Sequence, residues 1–152
     1  MKALKLILAL LCLSIFSLAS CQSLSTEPVE VVSLSLEATP NEIILSEENS
    51  YQEEVFFSWS ITNLSDETIS SETHELDIST AVPNSYESTL ITILDIELAP
   101  GETMSGEYSH LISGISVEGE FEFQLNLYEK GRQYMTEVAR VSQPYSLYWG
   151  EL

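Results

Sequence analysis

The chain has 152 residues, 44% of them hydrophobic, with 24 acidic and five basic side chains and a formal charge of −19. A charge this negative opposes binding to nucleic acid and to anionic lipid head groups. The apolar content is too high for a disordered acidic tail and is enough for one domain of ordinary size.

The N-terminus is built like a secretory signal. Lys2 and Lys5 form a basic start, and residues 6–18 are mostly Leu, Ile, Ala and Phe, broken by Ser14 and Ser17. Small residues at a cleavage point complete the pattern. Leu18-Ala19-Ser20-Cys21 resembles the lipobox of bacterial lipoproteins. That resemblance implies cleavage after residue 20, S-diacylglycerol on the Cys21 thiol, and acylation of the new amine. The alternatives are an ordinary signal peptidase site with Cys21 incidental, and an uncleaved helix, which is short of the roughly 20 residues a membrane span needs. Cys12 falls in the removed segment, so no intrachain disulfide forms and the fold rests on its own core. Two or more acyl chains anchor stably. Gln22, in place of an Asp, favours the outer membrane or cell surface of a bacterial envelope. All 24 acids lie beyond residue 20, against only Lys130, Arg132 and Arg140 as bases.

Residues 21–30, with Pro28, read as a polar tether of at most roughly 30 Å when extended. Residues 31–152 read as the domain. Val32, Leu34 and Leu36 alternate with Ser33 and Ser35, a half-buried strand pattern. Pro40-Asn41 is a turn, residues 43–45 a short apolar piece, and residues 47–50 a second turn. Val55, Phe57, Trp59 and Ile61 alternate with Phe56, Ser58, Ser60 and Thr62, and the large apolar odd positions are expected in the core. Asn63-Leu64-Ser65-Asp66 supplies turn chemistry, and Thr68-Ile69 is expected to begin the partner strand. Leu76 and Ile78 mark a further strand, and Pro83-Asn84-Ser85 a turn. Residues 89–98 read as one strand on their β-branched content, stopped by Ala99-Pro100-Gly101. Residues 103–111 form another. Gly114 and Gly119 bracket a loop. Phe121, Phe123, Leu125 and Leu127 alternate strictly with Glu120, Glu122, Gln124 and Asn126. Lys130-Gly131-Arg132 turns the chain into a returning strand over residues 134–141. No stretch has helical spacing with caps.

This pattern is all-β. It argues for an antiparallel β-sandwich or small barrel of about seven to nine strands, the sandwich favoured by large aromatics on one face of two adjacent strands. Phe57-Ser58-Trp59-Ser60-Ile61-Thr62-Asn63, with Leu98-Ala99-Pro100-Gly101-Glu102-Thr103, is similar to the adhesion-type and CARDB-like immunoglobulin-like domains of bacterial surface proteins. The pair also looks like the BsuPI-type proteinase-inhibitor domain. The resemblance covers residues 31–142, although Asn63-Leu64-Ser65 stands where an Asn-Thr-Gly is often found. It implies an exported context and carries over no catalytic residue.

No catalytic or cofactor pattern stands out. His74 and His110 lack metal-ligand spacing, and no serine sits in a nucleophile elbow. The acids are a candidate calcium surface: Asp95 with Glu97 on one strand face, Asp66-Glu67 and Glu47-Glu48 in turns. Asn63-Leu64-Ser65 matches a glycosylation sequon, expected bare in a bacterial lipoprotein. Trp59 is expected between the sheets. Tyr145, Leu147, Tyr148 and Trp149 either pack on a sheet edge or offer an aromatic contact surface, in which Tyr145, Tyr148 and Trp149 are the candidate partner residues. The reading is therefore a lipid-anchored, non-enzymatic envelope lipoprotein with no cofactor, held to the membrane by its lipid and binding a protein partner. The alternatives are a protease-inhibitor-like domain and a calcium-dependent or carbohydrate-binding envelope protein.

Overall fold

A computed structural model describes residues 30–82, 86–115 and 117–150. The expected signal segment with Cys21, most of the expected tether and the turn expected at residues 83–85 lie outside the described residues. Ten strands follow in order: β1 (Val32–Thr39), β2 (Glu42–Leu45), β3 (Gln52–Asn63), β4 (Ile69–Ser70), β5 (His74–Val82), β6 (Tyr86–Ile93), β7 (Glu97–Leu98), β8 (Thr103–Ser113), β9 (Gly119–Lys130) and β10 (Met135–Trp149). Among the described residues there is no helix.

Strands β1, β3 and β8 make a three-stranded sheet in that order, and β2, β10, β9, β5 and β6 a five-stranded one. The five-stranded sheet is mixed, because β2 runs parallel to β10 while its other neighbours are antiparallel. A wholly antiparallel arrangement is thus corrected at one edge. The chain changes sheets at the Pro40 turn between β1 and β2, which leaves β2 pointing the same way as β10.

The alternating pattern behaves as elementary strand geometry dictates. In β3, Val55, Phe57, Trp59 and Ile61 are buried while Phe56 and Ser58 are exposed. Leu76, Ile78, Phe123, Leu125, Tyr145 and Leu147 project from the five-stranded sheet into the same apolar cluster. Phe57 meets Phe123 edge-on at 4.9 Å, joining the two sheets. Phe123 and Tyr145 stack at 3.9 Å. Aromatic pairs of this kind contribute about 0.5–1.5 kcal/mol beyond the area they bury. The Gln143 side chain adds a polar link: its Nε2 donates to Ala38 O (2.9 Å) and its Oε1 accepts from Ala38 N.

Two further sequence expectations are corrected. Ile69 does not begin a partner for β3, whose neighbours are β1 and β8. It lies in β4, which pairs with β7. The single strand expected over residues 89–98 breaks between β6 and β7, where Asp95 adopts φ 62°. Asp95 and Glu97 therefore do not share one strand face. The polar side of β9 is not fully solvated: Gln124 and Asn126 are 4% and 0% exposed. β9 is the middle of five strands, and neighbours on both sides cover its short polar side chains. Asn126 Nδ2 donates to Asp77 Oδ1 and Ser79 Oγ, both at 2.9 Å, and Asn126 Oδ1 accepts from Arg140 Nε at 2.8 Å. Buried polar groups are tolerated when bonded in this way.

The turn at residues 98–102 follows from its residues. Pro100 presets φ, Gly101 takes φ 80°, and Glu102 N donates to Ala99 O at 3.0 Å. Left-handed backbone at the third position is what a Pro-Gly turn of this type requires. The Glu102 carboxylate accepts from Ala99 N at 2.8 Å, and Gly101 N donates to Asn63 O at 2.9 Å. Asn63 is completely buried. Its Nδ2 donates to Glu67 O and Leu98 O, and its Oδ1 accepts from Ser65 N and Ser65 Oγ. These bonds tie both quoted motifs into one corner. They also occupy the amide that a glycan on the sequon would need.

Candidate functional site

The C-terminal aromatics divide between core and surface. Tyr145 is 1% exposed and its hydroxyl shares a 2.8 Å hydrogen bond with Thr80 Oγ1. Burial pushes its phenol above the usual tyrosine range, opposed by the Thr80 hydrogen bond. Tyr145 is therefore withdrawn from the contact surface and belongs to the core. Leu147 is buried as well. Strand alternation then sends Tyr148 to the opposite face, where it is exposed beside its ladder partner Ile44, also exposed. Trp149 is 37% exposed and meets the half-exposed ring of Tyr51 at 5.7 Å.

The turn before β3 holds Tyr51 in place. Ser50 and Tyr51 both take φ 57°. Consecutive non-glycine residues in the left-handed region cost roughly 1–2 kcal/mol each and persist only where surrounding bonds impose them. Asn49 supplies those bonds: its Oδ1 accepts from Ser46 N at 2.9 Å, and its Nδ2 donates to Ile44 O at 2.6 Å and Glu53 Oε2 at 3.1 Å. Tyr51 N donates to Ser46 O at 2.7 Å. Sequence reading placed a turn at residues 47–50 but missed Tyr51 and Ile44 as surface partners of the C-terminal aromatics. Alternation within β2 was the signal for Ile44. Nothing local to residue 51 announces its contact with Trp149, which is 98 positions away.

By strand alternation Tyr148 with Ile44 and Trp149 with Tyr51 lie on opposite sides of the end of β10, and acids surround it. Glu42 pairs with Ser146 in the ladder, Glu118 Oε1 accepts from Trp149 N, and Glu120 Oε1 accepts from Ser146 Oγ. An apolar centre with a charged rim is the anatomy of a protein interface.

The histidines stand apart. His74 Nδ1 lies 2.8 Å from Thr73 Oγ1, and burial lowers its pKa below the ordinary 6.5, opposed by Glu129. His110 is on β8, with Nδ1 at 3.5 Å from Tyr108 Oη. Among the described residues, no three His, Cys, Asp or Glu side chains converge as a metal site, and no helix is long and apolar enough to cross a membrane.

Comparison with known proteins shows a fold likeness. No family model matches the chain, and neither does any curated protein. Among solved structures, the C-terminal domain of Wzt matches with a TM-score of 0.51 and 9% identity, over 80% of this chain and 75% of that one. The Pseudomonas fluorescens alkylpurine DNA glycosylase AlkC matches with a TM-score of 0.50 and 12% identity, over 77% of this chain and 30% of that one. The Erythrobacter marinus β-glucosidase EmGH1 matches at 0.44 and 12%, over 77% of this chain and only 15% of its own length. The chain thus spans a minor part of the two enzymes. Identities this low bear on the fold alone.

Proposed function

We propose that this chain is a non-enzymatic, lipid-anchored protein-binding module of the bacterial cell envelope, with an immunoglobulin-like β-sandwich as its folded part. The observation that carries the binding role is the exposed apolar pair Ile44 and Tyr148 at the end of β10, with Trp149 and Tyr51 at the same end on the other side. The apolar surface that Ile44 and Tyr148 leave in water adds nothing to folding by burial. Tyr and Trp are the residues most enriched where interfaces concentrate their energy. Glu42, Glu118 and Glu120 beside them call for a partner with a basic rim, whose approach the acidic domain accelerates.

The sandwich reading is supported by the apolar cluster shared by the two sheets, and by the chain crossing after β1 so that β2 lies parallel with the last strand. The anchor reading is supported by Leu18-Ala19-Ser20-Cys21 after a basic, apolar leader. Lipidation at Cys21 would leave the domain outside the membrane on a short tether, with the outer membrane or cell surface favoured by Gln22.

The test is cross-linking in intact cells. Wild type and a Tyr148→Ser, Ile44→Ser double variant are compared at equal abundance and equal melting temperature. The proposal expects a discrete cross-linked species that the double variant loses and that a surface variant on the far edge, Thr89→Ala, retains. A species unaffected by the double variant would move the interface elsewhere.

A further inference from the structure

The two sheets end in free edges at β8 and β6, and a cavity of about 440 Å³ opens between them. That volume falls in the range of small-molecule sites, roughly 300–1,000 Å³. Leu90, Ile112, Ile115 and Phe121 supply apolar wall, and Thr80 with Tyr145 supplies a hydroxyl pair. Among the described residues no carboxylate lines this cavity, and His110 is the one basic side chain that does. The absence matters because it removes the group that would hold a cationic ligand. The negative charge of the whole domain opposes an anionic one, against the single imidazole of His110. Burying an ion without a partner is costly, whereas an uncharged molecule bearing one hydroxyl loses little on entering.

We propose that this cavity binds an uncharged, single-chain aliphatic molecule bearing one hydroxyl group, its chain against Leu90, Ile112, Ile115 and Phe121 and its hydroxyl bonded to the Thr80–Tyr145 pair. The Tyr145 phenol stays protonated because burial raises its pKa. The pair therefore offers a donor as well as acceptors. This site lies at the β6–β8 side of the molecule. It is separate from the Ile44–Tyr148 surface, and its existence does not depend on the anchor or on a protein partner.

Three probes of one chain length distinguish the classes: octan-1-ol, octanoate and octylamine, titrated at pH 7.5 into the purified chain with its Leu, Ile and Val methyl groups followed by NMR. The expected result is saturable binding of octan-1-ol, with shifts concentrated at Leu90, Ile112 and Ile115. Octanoate and octylamine should bind at least about tenfold more weakly, the factor that 1.4 kcal/mol of charge-burial cost gives. Thr80→Val should weaken octan-1-ol about threefold to tenfold, the range for one neutral hydrogen bond. Absence of saturable octan-1-ol binding would overturn the site. Shifts centred elsewhere would do the same. Octanoate or octylamine binding as tightly as the alcohol would overturn the ligand class. The wild-type titration alone decides these points, so they hold even if Thr80→Val folds poorly.

Discussion

Gly106→Ala tests the packing of the three-stranded sheet at its tightest point. Gly106 faces Trp59 across the β3–β8 ladder. A Cβ on Gly106 would lie 2.7 Å from Trp59 Cζ2 and 2.9 Å from Cε2. Non-bonded carbons are comfortable at about 3.5–4.0 Å, so the ring or the strand must move by roughly 0.6–1.3 Å. Trp59 is only 8% exposed and belongs to the core cluster, so the indole has little room to swing away. Overpacking of a formed core costs about 1–3 kcal/mol. For a domain of this size that lowers Tm by roughly 3–6 °C per kcal/mol. Urea unfolding of a double-mutant cycle with Trp59→Leu isolates the cause. In the Trp59→Leu background the penalty should vanish, and Ala should even gain about 0.5–1 kcal/mol over Gly within a strand. An unchanged penalty in both backgrounds, or a wild-type effect below about 0.5 kcal/mol, would refute the indole contact as its origin.

Two further substitutions or titrations probe the corner and the first histidine. Asn63→Ala strips partners from Glu67 O, Leu98 O and Ser65 N and should destabilise the fold by about 2–4 kcal/mol, since buried groups left unbonded cost about 1–3 kcal/mol each and relaxation recovers part; a loss under 1 kcal/mol in urea unfolding argues that water replaces the amide. His74 has a folded pKa lowered below 6.5 by burial. The unfolded chain then binds the proton first, so this contribution to stability is present above pH 6.5 and fades as pH falls below it. NMR titration of the His74 ring should give a midpoint under 6.5, and His74→Gln should flatten the loss of stability between pH 7 and 5.5; a midpoint above 6.5 contradicts the burial argument.

Much of the fold was legible because strand alternation is a local signal. Val55, Phe57, Trp59 and Ile61 announce their buried face by spacing alone, and Pro100-Gly101 announces its turn by backbone chemistry. What stayed hidden depends on neighbours far along the chain. The burial of Gln124 and Asn126 follows from β9 being the middle strand, with Asp77 on one side and Arg140 on the other. The break at Asp95 hides because residues 89–98 are apolar on both sides of it, so no change of composition marks the end of β6. The aromatic cluster at residues 145–149 was visible as a cluster. Its division into a buried Tyr145 and an exposed Tyr148 needed the register against Phe121 and Ile44. The Tyr51 contribution needed the Asn49 turn as well.

The anchor is tested most directly by the intact mass of the chain purified from membranes, with fragmentation of its first residues. The account predicts a chain beginning at Cys21, carrying a diacylglyceryl thioether and an N-acyl group, and its disappearance in Cys21→Ala. A chain in which Cys21 bears a free thiol and remains joined to Ser20 would contradict it.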